Sequence, residues 1–321
     1  MFSEKLLVWY DKKQRILPWR QDVKNPYYTW LSEIMLQQTT VATVIPYFLA
    51  FIEKWPTLSD LARASLDEVL TQWQGLGYYS RARNLHKCAQ LLTKHFPSTE
   101  DDLTKLPGIG PYTAAAIASI AFEQKAAAVD GNVVRVMSRY LAIQTLDPKA
   151  EVKIELTSLL PQGRSGDFTQ GLMELGALVC RPKSPLCSVC PLQDECQAYS
   201  LGKVEDFPAK LPKKKIPTRY TTAFILKRED GAILLRKRPL QGLLGGMMEV
   251  PTTPWEEKND HKKNKGAQVK HTFTHFHLEV QIQHLEDPSS FSGIWVMPQD
   301  LKEYALPTVM KKIIKAGLKL P

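Results

Sequence analysis

Nowhere in the 321 residues do eighteen apolar residues run together, and the opening stretch MFSEKLLVWYDKKQR has no apolar core of the kind a secretion signal needs. The sequence therefore predicts a protein that neither spans a membrane nor is exported. Cysteine is scarce, at five residues, and four of them crowd into CRPKSPLCSVCPLQDEC, from Cys180 to Cys196. A chain this long can bury a core without disulfides, and the cytosol seldom keeps them, so the crowding points to metal. No repeat of fixed period is visible. Acid is the scarcer charge, 33 residues against 42 Lys and Arg, and the net charge of +9 with a pI near 9.2 suggests a polyanionic partner.

Helical patterns fill residues 1–200. Ser65 stands three before Glu68, the signature of a capping box, and Leu66, Val69, Leu70 and Trp73 follow at helical spacing. PYTAAAIASIAF opens with Pro111, tolerated at a first helical position, and is too rich in alanine for a strand. Composition changes at LGKVEDFPAKLPKKKIPTR, residues 201–219, with three prolines and six Lys or Arg; this reads as an extended linker. Beyond it, two β-rich runs flank Asp230-Gly231, a hairpin signal, and HTFTHFHLEVQIQHL alternates like one further strand. EEKNDHKKNKG reads as a loop and LPTVMKKIIKAGL as an amphipathic helix. The expected fold is mainly α over residues 1–200, followed by an α+β domain at 220–321.

The thiols are spaced Cys-x6-Cys-x2-Cys-x5-Cys. Thiolates gathered around one centre select zinc or iron–sulfur, and the spacing alone also leaves four buried cysteines without metal. Cys88, on an amphipathic run, reads as a packed core residue. In LPGIGPYTA, Gly108 and Gly110 can take positive φ and let their N–H groups approach a ligand, which with the helix from Pro111 makes an anion nest. Glu33 sits among Trp30, Leu31, Ile34, Met35 and Leu36, where desolvation would favour a neutral acid; as a pattern, an exposed carboxylate on an amphipathic helix is the commoner case. Asp130 in VDGNV precedes a helix, where a carboxylate serves as N-cap and is favoured in its anionic form.

The cysteine loop, the Gly-x-Gly hairpin and the segments LSEIMLQQT and VDGNV together resemble the adenine-DNA glycosylases (MutY type) of the helix-hairpin-helix, endonuclease III-like superfamily. The resemblance covers nearly the whole chain, more loosely beyond residue 200. It implies a helix-hairpin-helix glycosylase domain whose Cys180, Cys187, Cys190 and Cys196 hold a [4Fe-4S] cluster, and a C-terminal Nudix-like domain. It implies an enzyme that hydrolyses the N-glycosidic bond of adenine mispaired with 8-oxoguanine or guanine in double-stranded DNA, working as a monomer in the cytoplasm at the nucleoid. Glu33 would protonate the leaving base and Asp130 would stabilise the sugar cation or bond to it. Bifunctional relatives carry a lysine at the position of Tyr112; a phenol cannot form their Schiff base, so the enzyme would be monofunctional.

By the same resemblance, Trp19, Arg20 and Leu36 would line an adenine pocket. Tyr78 and Gln38 would act as wedges during base flipping, with Leu76 and Thr39 near the opposite base and Arg81 on DNA. Phe273, Thr274 and His275 match the family's lesion-reading Phe-Ser-His, with threonine replacing serine, and Leu244 stands where relatives usually have tryptophan. GLLGGMMEVPTTPWEEKND lacks the glutamate run of nucleotide-hydrolysing Nudix enzymes. Two alternatives stand beside this reading. One is an endonuclease III-type pyrimidine glycosylase, disfavoured by Glu33 and Tyr112; the other is a non-catalytic iron–sulfur DNA-binding protein, disfavoured by the presence of both carboxylates.

Overall fold

The computed structural model describes residues 1–20, 24–92, 95–209, 215–257 and 268–319. Residues 210–214 of the expected linker and most of the Lys- and Asn-rich loop lie outside them. The helices are α1 (Phe2–Lys13), α2 (Pro26–Leu36), α3 (Val41–Lys54), α4 (Leu58–Arg63), α5 (Leu66–Gln72), α6 (Ser80–Leu91), α7 (Glu100–Thr104), α8 (Pro111–Phe122), α9 (Gly131–Tyr140), α10 (Lys149–Leu159), α11 (Ser165–Leu178), α12 (Gln197–Ser200) and α13 (Thr308–Gly317). The strands are β1 (Thr218–Leu226), β2 (Ile233–Lys237), β3 (Met248–Glu249), β4 (Gln268–Thr272), β5 (His277–Leu285) and β6 (Ile294–Val296). The chain divides into two compact units, Met1–Ala62 with Lys87–Pro212, and Arg63–His86 with Lys213–Pro321.

Local chemistry starts the helices of the first unit. Asn25 accepts the amides of Tyr27 and Tyr28 at the head of α2, with Pro26 at the first helical position. Asp130 caps α9 by accepting Val133 N–H at 2.7 Å. Phe2 and Leu6 of α1, Val133, Val136 and Met137 of α9, and Phe168, Leu172 and Leu175 of α11 form one core, which Leu192 of the cysteine loop also enters. Each such side chain is worth about 1.5–3 kcal/mol on burial. α11 can approach α9 closely because residue 176 is glycine: a Cβ there would lie 2.6 Å from that of Asn132.

The second unit holds two three-stranded sheets, β1-β5-β4 and β3-β2-β6. β1 runs parallel to β5, and β4 antiparallel to it. α13 packs on the first sheet, and Gly317 leaves no room for a Cβ against Ile225.

This topology corrects two strand expectations. The turn at Asp230-Gly231 exists, with Arg228 N–H bonded to Ala232 O, but β1 and β2 then part into different sheets. Their apolar residues face separate partners, so the hairpin is confined to the turn. HTFTHFHLEVQIQHL is two strands rather than one, because Phe273 N–H bonds to Phe276 O and reverses the chain between β4 and β5. Period-two alternation continues through a tight turn and does not reveal it.

The capping box in the second unit is present with both hydrogen bonds, Glu68 N–H to Ser65 Oγ and Ser65 N–H to the Glu68 carboxylate.

Candidate active site

In the first unit, residues between Arg15 and Ala177 surround a cleft of about 760 Å³, lined by Trp19, Arg20, Glu33, Leu36, Gln38, Thr39, Tyr112 and Asp130 among others. Eight residues predicted from sequence thus share one cavity. α2 is buried along almost its whole circumference, so the side chain of Glu33 has no aqueous face and the residue is 7 % exposed. Burial pushes its carboxyl up to about 7; the Tyr112 hydroxyl and Arg20 act in the opposite direction, and Asp130 adds to the rise. The Tyr112 hydroxyl donates to Glu33 Oε2 at 2.6 Å. Burial, helped by the two carboxylates, holds that phenol well above its ordinary value, so it stays a neutral donor.

Asp130 lies at the head of α9, and its two oxygens are separately occupied. Oδ1 accepts Val133 N–H, and Oδ2 accepts the Asn132 amide at 2.9 Å. Asn132 Oδ1 in turn accepts Arg135 Nη2 at 2.8 Å, while Arg135 Nε donates to the carbonyl of Cys180 at 2.7 Å. A continuous hydrogen-bonded path therefore joins Asp130 to the first cysteine of the loop. The same guanidinium bonds Gly176 O at 2.7 Å, across the close approach that glycine permits.

Glu174 of α11 enters the cleft with its side chain fully buried. Arg15 Nε approaches its Oε2 at 2.8 Å, and Arg20 Nη2 its Oε1 at 2.8 Å. A carboxylate buried against two guanidiniums leaves one net positive charge and spare donors at the wall of the cavity; Arg20 Nε is buried without a partner. Sequence reading missed Arg15, Glu174, Asn132 and Arg135. The pairs with Glu174 span 159 residues in the case of Arg15, beyond the reach of any local pattern. Asn132 was signalled by its place two residues after a capping Asp.

Cys180, Cys187, Cys190 and Cys196 line a second, small cavity in this unit. Among the described residues, no group of three or more Cys, His, Asp or Glu is placed to hold a metal ion. Four thiols share one hollow, and thiolate donors suit zinc or an iron–sulfur centre. Arg139, 2 % exposed, puts Nη1 3.3 Å from Cys180 Sγ and donates to the carbonyls of Arg181 and Phe207. This buried cation suits thiolates. Burial pushes the Cys190 thiol up to about 11. Cys88 is fully buried and away from this loop, as a core residue.

In the hairpin between α7 and α8, Gly108 has φ +77°, whereas Gly110 has φ −86° and acts as the N-cap of α8 before Pro111. Extended geometry is what an N-cap requires, so left-handed backbone is needed only once.

Leu76, Tyr78 and Arg81 belong to the second unit, as do Phe273, Thr274 and His275. Leu76 is 5 % exposed and Tyr78 40 %. Tyr78 follows Gly77 in a turn where both have positive φ, and Gln38 in the first unit is also left-handed at φ +61°. Tyr78, Phe273, Thr274 and His275 line one cavity of about 440 Å³. The Tyr78 and Thr274 hydroxyls are 2.5 Å apart. Tyr79 is buried, consistent with packing. Among the described residues the histidines at 271, 275 and 277 form no metal group.

The HhH-GPD superfamily of base excision DNA repair proteins matches residues 31–162, and the NUDIX domain matches residues 222–316. The chain is 36 % identical over 403 residues to the adenine DNA glycosylase of Homo sapiens, covering 98 % of this chain and 73 % of that one. It is 35 % identical to that of Buchnera aphidicola (Schizaphis graminum), covering 98 % of each. Among solved structures it is similar to a thermostable thymine-DNA glycosylase, with TM-score 0.58 and 30 % identity over 62 % of this chain and 95 % of the other. An endonuclease III–DNA complex gives TM-score 0.54 and 26 % identity over 63 % and 94 %. Among the described residues no helix is long and apolar enough to cross a membrane. With a helical body of endonuclease III type, a Nudix-like domain after it and relatives matched along almost all of its length, the chain belongs to the adenine DNA glycosylase family.

Proposed function

We propose that the chain excises adenine from double-stranded DNA where it is mispaired with 8-oxoguanine or guanine, by hydrolysis and without strand cleavage. The observation that carries this is the pair of unlike carboxyls in one cleft: Glu33 raised to about 7 by burial, and Asp130 held at a helix N-terminus by two donors. Cleavage of an N-glycosidic bond needs an acid for the leaving base and an anion for the sugar cation. Glu33 Oε2 already accepts the Tyr112 hydroxyl, so the transferable proton sits on Oε1 and passes to a ring nitrogen of the base. Asp130 stabilises the oxocarbenium ion as the bond breaks, and water or the carboxylate itself takes C1′. Tyr112 offers no amine for a Schiff base, which supports the monofunctional reading.

Glu174 and its arginines supply an acceptor and donors for the edge of a flipped base, adding to Trp19, Arg20 and Leu36. Tyr78 and Gln38 serve as wedges, with Leu76 and Thr39 near the opposite base. Residues 220–321 read the lesion through Phe273, Thr274 and His275. Gly108, Gly110 and Arg81 meet DNA. Cys180, Cys187, Cys190 and Cys196 would hold a [4Fe-4S] cluster, which supplies covalent closure of a loop carrying Arg181 and Lys183 for phosphate. Residues 1–200 form the glycosylase domain and 201–219 the linker. The protein works as a cytoplasmic monomer.

Single-turnover assays test the reading on duplexes carrying adenine opposite 8-oxoguanine, adenine opposite guanine, or an oxidised pyrimidine. Release of adenine from the first two is expected. Release of the pyrimidine alone would make this an endonuclease III-type enzyme, and no release from any would leave a binding protein.

A further inference from the structure

The turn Gly75–Ser80 has an unusual backbone. Gly75, Gly77 and Tyr78 have φ of +102°, +72° and +48°, and a tyrosine in the left-handed region is strained. Within it, Gly77 O accepts Trp73 Nε1 at 3.1 Å and Arg81 Nη2 at 3.3 Å, Leu76 O accepts the same Nη2 at 3.2 Å, and Tyr78 O accepts Arg81 N–H at 2.8 Å. Further support comes from far along the chain, within the same compact unit. Arg83, one turn into α6, places Nη1 2.8 Å from Gly245 O and Nη2 3.5 Å from Gly242 O. Gln74 Nε2 donates to Tyr304 O at 2.7 Å.

The carbonyls that Arg83 meets are themselves fixed. Residues 239–246 fold tightly, with Gly246 N–H bonded to Arg238 O and Gly245 N–H to Gly242 O. A Cβ at Gly245 would stand 2.2 Å from Leu240 O, so the loop admits only glycine there. Among the described residues no carboxylate forms an ion pair with Arg83. A half-buried guanidinium that spends its donors on two carbonyls of a closed loop is acting as a fastener.

We propose that Arg83 is a positioning residue for the wedge: it fastens the Tyr78 turn to the 239–246 loop of the C-terminal residues. Tyr78 and the lesion-reading turn at Thr274 then meet DNA as one preorganised surface. This rests on the assignment of Tyr78 as wedge and Thr274 as reader made above. The fastening lies inside the compact unit that Arg63–His86 forms with the C-terminal residues, although α5 and α6 lie inside the helical stretch of the sequence.

The test uses the full chain with Arg83→Ala and Arg83→Lys. Hydrogen exchange of the free protein should speed up about tenfold at the amides of residues 75–80 and 242–246 in Arg83→Ala, the size expected for one charge-assisted hydrogen bond, with α9 unchanged. Affinity for duplex with adenine opposite 8-oxoguanine should fall about tenfold, while affinity for fully paired duplex and its salt dependence stay the same. Arg83→Lys, which can still reach a carbonyl, should recover part of both effects. Unchanged exchange in the turn would overturn the proposal whatever the protein binds. So would equal loss on mispaired and paired duplexes with a salt slope lower by about one, which is the mark of a phosphate contact. A parent chain with no preference for the mispair would sink the functional reading, while the exchange measurement still decides the fastener.

Discussion

The hydroxyl of Tyr112 donates to Oε2 of Glu33 at 2.6 Å, across 79 residues of sequence. This bond favours the carboxylate form, against the burial that dominates. Tyr112→Phe removes the donor and should raise the Glu33 carboxyl further, by about one unit for a hydrogen bond to a charged group. The alkaline limb of the pH–rate profile should therefore move upward, while the maximal rate falls because the acid is less well oriented. A profile that moves downward, or does not move, would remove Glu33 as the titrating acid.

Glu33→Gln should abolish excision by a factor of about 10² or more, with mispair binding nearly intact, since an amide cannot give up the acid's proton. Stability offers a second readout with a definite sign. The Glu33 carboxyl is raised in the folded state, from 4.5 to about 7, so its contribution is fully present below 4.5 and is lost as pH rises through 7. The variant should thus be more stable than the parent at pH 8 than at pH 5, by on the order of 3 kcal/mol. Denaturant titrations at the two pH values check this.

Arg135→Gln cuts the path from Cys180 O through Asn132 to Asp130. Single-turnover excision at saturating DNA should slow by about tenfold or more, because one donor to the stabilising carboxylate loses its anchor. Dissociation constants should change far less. Asn132→Ala should behave alike, and the double variant should be no worse than the more damaging single change. Independent, fully additive losses would mean that the two side chains act separately.

For the thiol centre, the purified protein should contain about four iron and four sulfide per chain. Cys187→Ser should lose them and bind DNA more weakly. One stoichiometric zinc in colourless protein would replace the cluster assignment.

Tyr78→Phe and Thr274→Val each remove one partner of the 2.5 Å hydroxyl pair. Measured as preference for 8-oxoguanine over guanine, the two changes should be coupled by about 1 kcal/mol in a double-mutant cycle. Strict additivity would show that the pair does not act jointly in reading the lesion.

Local rules made much of this protein legible. The cysteine spacing, the Ser65–Glu68 box, Pro111 at the head of α8 and Asp130 at the head of α9 are short-range chemistry, decided within a few residues. The phenol at 112 in place of an amine was likewise plain from the letters. Tertiary structure decided the rest. Glu33 has its raised carboxyl because α2 is buried on nearly every side, whereas its sequence pattern alone fitted an exposed carboxylate as well. Glu174 gained its two guanidiniums from the segment between α1 and α2, and Asp130 its path to Cys180, through contacts made only on folding. β1 and β2 were readable as strands, but which sheet each joined depended on partners fifty or more residues away, β5 for β1 and β6 for β2. The segment 63–86 reads as ordinary helix, and its ties through Arg83 and Gln74 to residues 242–304 depend on backbone carbonyls, which carry no side-chain signature in a sequence.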